Sequence, residues 1–139
     1  MDKTAKELAL SLVESGTNAL VGSVDGDGFP NIKAMLPPRE HDGLAEFWFT
    51  TNTSSARVAQ FRKNQQAALY FFDARNFVGV LLRGTMEVLT DAVAKERIWR
   101  EGDTMYYPKG VTDPDYCVLR FTARDGRLYR NFSSENFTV

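Results

Sequence analysis

The run from Phe47 to Phe72, FWFTTNTSSARVAQFRKNQQAALYFF, limits what this chain can become more than any other stretch. Aromatic Phe47-Trp48-Phe49 opens it as a strand, and Thr50 to Ser55 forms a hydroxyl-rich turn. Val58 and Phe61 mark a short helix, and Ala67 to Phe72 returns as a strand. The helix is unusual in its charge. A helix N-terminus carries unpaired N–H groups and the positive end of the macrodipole, and an Asp or Glu in the first turn usually complements them. Here no carboxylate occurs between Glu46 and Asp73, whereas Arg57, Arg62 and Lys63 add positive charge. Backbone amides, the hydroxyls of Thr51, Ser54 and Ser55, and the Arg57 guanidinium would together satisfy the oxygens of a phosphate. A serine cap followed by a solvated arginine reads from the same letters, and spacing alone does not separate the two.

Composition narrows the remaining classes. With 139 residues, 43% hydrophobic and 25% charged, one globular domain spanning 1–139 is expected. The net charge of -1 is spread along the chain, so no nucleic-acid footprint and no attraction to an anionic membrane is written at whole-chain level. MDKTAKELAL lacks a basic-then-apolar signal and no apolar run is long enough to span a bilayer, so a cytoplasmic address is expected. The lone Cys117 lies in an apolar run and reads as a buried structural thiol. His41, the lone histidine, reads as a loop residue. One His and one Cys cannot build the usual zinc site, so no metal is expected.

Taken in order, Thr4 to Ser15 has the apolar spacing of an amphipathic helix that Gly16 ends. Asn18–Val24 and Pro30–Leu36 read as strands joined by the turn Asp25-Gly26-Asp27-Gly28. Phe77–Leu89 is the longest strand expected, with Gly79 and Gly84 marking a bulge or bend. Asp91–Arg100 reads as a second capped helix, and 101–115 as a loop with a Tyr106-Tyr107-Pro108 cluster. Tyr116–Ala123 and Arg127–Phe132 read as strands around a hairpin turn at Asp125-Gly126. The expected fold is α+β, mainly β: a six- to seven-stranded antiparallel split β-barrel with flanking helices. The helix after Thr51 then starts at the barrel rim.

The segments FTTNTSSARVAQFRKN and GFPNIKAML resemble the flavin-binding core of pyridoxamine 5'-phosphate oxidase. In that family the turn runs Phe-x-Thr-Asn, followed shortly by Ser-Arg-Lys and a helix ending near Asn-Pro. Length and the later run DPDYCVLRF are also similar to small FMN-binding split-barrel proteins of the general-stress type. The resemblance implies FMN as cofactor, with FAD possible, and a homodimer with a flavin in each groove between subunits. It implies that Thr51 and its neighbour Thr50 close the strand at the flavin, and that Ser55 and Arg57 lie at the phosphate; Ser54, whose hydroxyl could join them, reads first as the helix cap. Lys33 falls on an arginine of the earlier strand, and Ala34, Met35 and Leu36 on the backbone bordering the isoalloxazine ring. Two positions depart from the pattern: Ala56 and Pro38 stand where the oxidase has basic residues, which implies fewer phosphate contacts. The oxidase also carries an Arg-x-His element for its substrate in a C-terminal extension that has no counterpart after the last strand here. The expectation is therefore a substrate other than pyridoxamine phosphate.

No catalytic triad or paired-carboxylate signature is present, and flavin chemistry needs none. An oxidoreductase using a nicotinamide or small-molecule reductant, a flavin-binding or sensing stress protein without turnover, and a split barrel that has lost its cofactor all remain open. Trp99, Tyr106 and Tyr107 are expected in the core or at a dimer contact rather than stacked on a ring.

Overall fold

The computed structural model describes residues 3–139. Thr4 and Glu7 cap each other's backbone to start α1 (Ala5–Glu14), and Gly16, at φ +80°, ends it. There follow β1 (Ala19–Val24), β2 (Pro30–Met35), β3 (Glu40–Asp42), β4 (Glu46–Asn52), α2 (Ala56–Lys63), β5 (Gln66–Asp73) and β6 (Val78–Leu89). Then come α3 (Ala92–Ile98), a 3-10 turn (Asp103–Met105), β7 (Tyr116–Arg130) and β8 (Ser133–Thr138). The fold is mainly β, and its strands pair antiparallel throughout.

Sheet order is β2-β1-β5-β6-β7-β4-β3, with β8 added to β7. This is the split barrel expected, and its two ends do not pair. Among the described residues it has eight strands rather than six or seven, because β3 and β8 are short and polar and carry no apolar alternation. The hairpin expected at Asp125-Gly126 does not form: β7 runs straight through it. Arg83 on β6 holds the Asp125 carboxylate through two hydrogen bonds of 2.8 Å. Gly126 lies beneath Phe137 of β8, where an added Cβ would stand 2.4 Å from the ring. The Asp-Gly pair thus serves close strand packing, and the chain reverses at Asn131-Phe132, both at positive φ. The bulge expected in β6 is present, as a register shift between Arg83 and Gly84. A Cβ on Gly84 would come within 1.9 Å of the Thr122 carbonyl oxygen, so only glycine fits there.

The main core fills the space between the curled sheet, α1 and α2. Phe47, Phe49, Phe61, Phe71, Leu82 and Phe121 are buried there, and Cys117 joins them as the free, buried thiol expected. A second cluster under α3 holds Trp48, Ile98, Tyr107 and Tyr116. Val58 and Phe61 pin α2 to the core, so the position of Arg57 is set by apolar packing one turn away. Phe61→Ala is expected to cost about 3–5 kcal/mol in urea unfolding, the usual loss for a fully buried phenylalanine. A loss below about 1 kcal/mol would mean that α2 is not held this way.

Candidate functional site

Although β2 and β4 lie near opposite ends of the sheet, the curl brings them to the same cleft. Ala34, Met35, Leu36 and Pro37 line one wall, and Phe49, Thr50, Thr51 and Asn52 the other. Arg57 enters from the first turn of α2, and Arg39, Tyr106 and Tyr107 complete the lining. The cleft is the slit of the split barrel, and its volume is about 170 Å³. Broader grooves lie elsewhere on the surface, but it is in this slit that hydroxyls, an amide side chain and a half-buried guanidinium without a carboxylate converge.

Arg57 donates from Nη2 to Thr51 Oγ1 at 3.0 Å, while its Nε is buried and has no partner. None of the ion pairs among the described residues involves it. Burial pushes its pKa down from the ordinary arginine value, the sign of a cation losing water without gaining a counter-charge. A buried donor left unsatisfied costs about 1–3 kcal/mol, and a half-buried cation without a counter-charge gains from an anion in the cleft it lines.

The start of α2 is less open than the local sequence implies. Ser55, not Ser54, is the N-cap, its Oγ accepting from the Val58 amide at 3.4 Å. Asp115, 61 residues beyond Ser54, accepts the Ser54 amide at 2.8 Å and Asn52 Nδ2 at 2.9 Å. Those bonds, that from Asn52 foremost, hold the Asp115 carboxyl below the usual carboxylate range. A carboxylate therefore does reach this turn, but Asp115 does not line the cleft and leaves Arg57 unpaired. Of the site residues read from sequence, Ala34, Met35, Leu36, Thr50, Thr51 and Arg57 meet at the cleft. Ser54, Ser55 and the exposed Lys33 lie outside its lining.

Six lining residues were not among the site residues read from sequence: Pro37, Phe49 and Asn52 flank ones that were, and Arg39, Tyr106 and Tyr107 do not. Arg39 forms a two-pronged pair with Asp103, at 2.8 and 2.6 Å, and looks in the sequence like any charged residue after Pro37-Pro38. Tyr107 is buried in the second core cluster, 4.7 Å from the Tyr116 ring, yet also borders the cleft, so the expected core role is half of its part. Burial raises the Tyr107 pKa, against a smaller opposing effect of the Thr50 hydroxyl, so the phenol stays protonated. Tyr106 is half exposed at the cleft. The tandem Tyr106-Tyr107 in a loop was the signal available. His41 lies in β3 rather than in a loop, because its strand pairs with β4 opposite Phe47. Its Nδ1 lies 2.9 Å from the Gly43 carbonyl oxygen, its ring stacks on Phe47, and it does not line the cleft. Among the described residues no cluster of three or more His, Cys, Asp or Glu could hold a metal, and no helix is long and apolar enough to cross a membrane.

With this geometry in place, the chain was compared with known proteins. The pyridoxamine 5'-phosphate oxidase family model matches residues 5–130. A search of curated proteins finds no match. Among solved structures, the chain is similar to a Clostridium acetobutylicum protein related to general stress protein 26 of Bacillus subtilis and assigned to the pyridoxinephosphate oxidase family. The TM-score is 0.90 at 42% identity, covering 100% of this chain and 97% of that one. General stress protein 26 from Bacillus anthracis matches at TM-score 0.77 and 13% identity, over 96% of this chain and 98% of that one. A heme binding protein from Mycobacterium smegmatis matches at TM-score 0.76 and 14% identity, over 99% of this chain and 59% of that one. The last two show likeness of fold alone.

The Arg39–Asp103 pair gives this region a pH dependence. Side-chain exposures of 12% and 5% place the pair largely out of water, and Arg39 holds the Asp103 carboxyl below the usual carboxylate range. A depressed folded-state pKa stabilises the fold fully above the unfolded value, about 4, and the contribution is lost as pH falls through the folded value. Asp103→Asn is expected to cost roughly 3 kcal/mol at pH 7, by stranding the Arg39 charge. Its melting temperature should then fall less than that of the wild type between pH 5 and pH 2.5, when both are followed by circular dichroism.

Proposed function

Because the chain belongs to the pyridoxamine 5'-phosphate oxidase family, we propose that it binds FMN and acts as a flavin-dependent oxidoreductase on a small molecule. It does so as a homodimer with each flavin at the seam between the two copies. The observation that carries this reading is the Arg57 guanidinium: half-buried, lining the cleft, and without a carboxylate. A phosphate monoester supplies the charge and the acceptors that this guanidinium lacks. One unpaired cation suits one phosphate group, which favours FMN over FAD.

Arg57 and Thr51 would hold the phosphate, with Thr50 and Asn52 beside them. The strand end at Ala34, Met35 and Leu36, facing Tyr106 and Tyr107, would border the ring and exclude water from it. Ser54 and Ser55 are engaged by Asp115 and Val58, so fewer groups reach the phosphate than in the oxidase motif. When bound, the flavin supplies hydride and electron transfer; the chain binds, orients and tunes it.

Two features support a second copy. A cleft of about 170 Å³ is smaller than an ordinary ligand site of roughly 300–1,000 Å³, so one chain supplies only part of the enclosure. The strand that forms one wall also exposes Ile32 at 75%, with Phe29 at 68% before it and Leu36 at 58% after it, an apolar strip suited to a partner.

One observation favours a second reading, a flavin-binding stress protein without turnover. Asp, Glu and His are all missing from the residues lining the cleft, which leaves hydride transfer open but offers an acid–base step only the tyrosines.

Purified protein is expected to be yellow, and Arg57→Glu to weaken FMN binding at least 100-fold by setting like charge against the phosphate. Retention equal to wild type would reject the site. Anaerobic NADH or NADPH should bleach the bound flavin, and air should restore the colour faster than it does for free FMN; failure with a broad panel of reductants selects the reading without turnover. Light scattering at micromolar concentration should give the mass of two chains, and a clean monomer would contradict the shared groove.

A further inference from the structure

The tyrosine wall of the cleft is held by polar contacts that the flavin reading does not use. Asp103 ends the link from α3 and begins the 3-10 turn, and its backbone carbonyl accepts the amides of both Tyr106 and Tyr107 at 2.9 Å. Its carboxylate is held in turn by the Arg39 fork and by the Arg100 amide at 2.8 Å. Arg39 lies just after the Pro37 wall, and its own amide donates to Trp48 in β4 at 2.8 Å. Its Nη1 also reaches the Ile98 carbonyl at the end of α3, at 3.2 Å, and Arg100 Nη2 returns a bond to the Arg39 carbonyl at 2.8 Å. Arg39 thus ties together β4, through its backbone amide, and, through its guanidinium, the end of α3 and the turn that presents the tyrosines.

We infer that the Arg39–Asp103 clamp is a positioning device: it sets the distance between the Tyr106-Tyr107 wall and the Ala34–Pro37 wall, and so determines how tightly the cleft grips the planar part of its ligand. Arg39 lines the cleft, yet its charge is committed to Asp103, whereas the charge of Arg57 is not. The two arginines therefore divide the work, Arg57 toward the anion and Arg39 toward the width of the slot. A guanidinium is required because its planar fork meets both carboxylate oxygens and a carbonyl at once, which an ammonium cannot do. Tyr106, half exposed and attached to the clamped turn, is the residue whose placement depends on it most directly.

This inference rests on the flavin reading for the identity of the ligand, and the test separates the two. FMN and riboflavin, which share a ring and differ by the phosphate, are titrated into wild type, Arg39→Lys and Arg57→Gln. Arg39→Lys is expected to weaken both ligands by the same factor, at least tenfold, while Arg57→Gln weakens FMN and spares riboflavin. Wild-type affinity in Arg39→Lys, or a loss confined to FMN, would overturn the clamp. Should wild type bind neither flavin, the cofactor reading fails by itself. Hydrogen exchange then decides the clamp: the Tyr106 and Tyr107 amides should exchange at least tenfold faster in Arg39→Lys while β4 and β7 keep their rates, and unchanged exchange would overturn it. If Arg39→Lys does not fold, the uncharged pair Arg39→Met with Asp103→Leu takes its place, with the same expected loss for both flavins and the same overturning result.

Discussion

The constraint on which this molecule depends is a sheet that curls but does not close. Along the path from β2 to β3, each strand pairs with its neighbours, yet β2 at one end and β4 near the other meet only across a slit. Closing the sheet would satisfy the backbone edges and remove the cleft. Here the edge of β2 is left uncovered, and its strand end becomes a wall of the site. The bulge at Arg83/Gly84 lets the long β6–β7 ladder bend enough to bring those ends near each other.

Charge is handled at the slit in two opposite ways. Arg39 is matched to Asp103 with near-ideal geometry and joins elements distant in sequence. Arg57, whose Cα sits in the first turn of a helix held down by Val58 and Phe61, meets a hydroxyl and no carboxylate. Thr17 Oγ1 and Thr53 Oγ1 are buried without partners as well, but of the three residues only Arg57 carries a charge and lines the cleft. Asp115 shows that the chain can place a carboxylate near this turn, and it places it on Asn52 and Ser54 rather than on Arg57.

Much of this was legible in the sequence because it is local. The strand, turn, helix and strand of 47–72, α1 and its end at Gly16, the bulging glycine in β6 and the buried Cys117 each follow from neighbouring residues. Misread features depend on distant partners. Asp125-Gly126 has the letters of a turn, but Arg83 and Phe137 fix it in mid-strand. Ser54 looks like a cap until Asp115 claims its amide. Arg39 and Tyr107 join the cleft only because the 3-10 turn folds back onto β4, a contact that no periodicity encodes. Lys33 lies on the predicted strand but outside the cleft; side chains alternate along a strand, so Lys33 and Ala34 take opposite faces.

The central claim is that the Arg57 guanidinium is reserved for an anionic group of the ligand. Arginine-selective NMR reads that guanidinium through its Nε–H, as FMN and then riboflavin are added to the protein. The account predicts that FMN moves the Arg57 Nε–H resonance downfield and slows its exchange with water, and that riboflavin does neither. A resonance left unmoved at saturating FMN would contradict it.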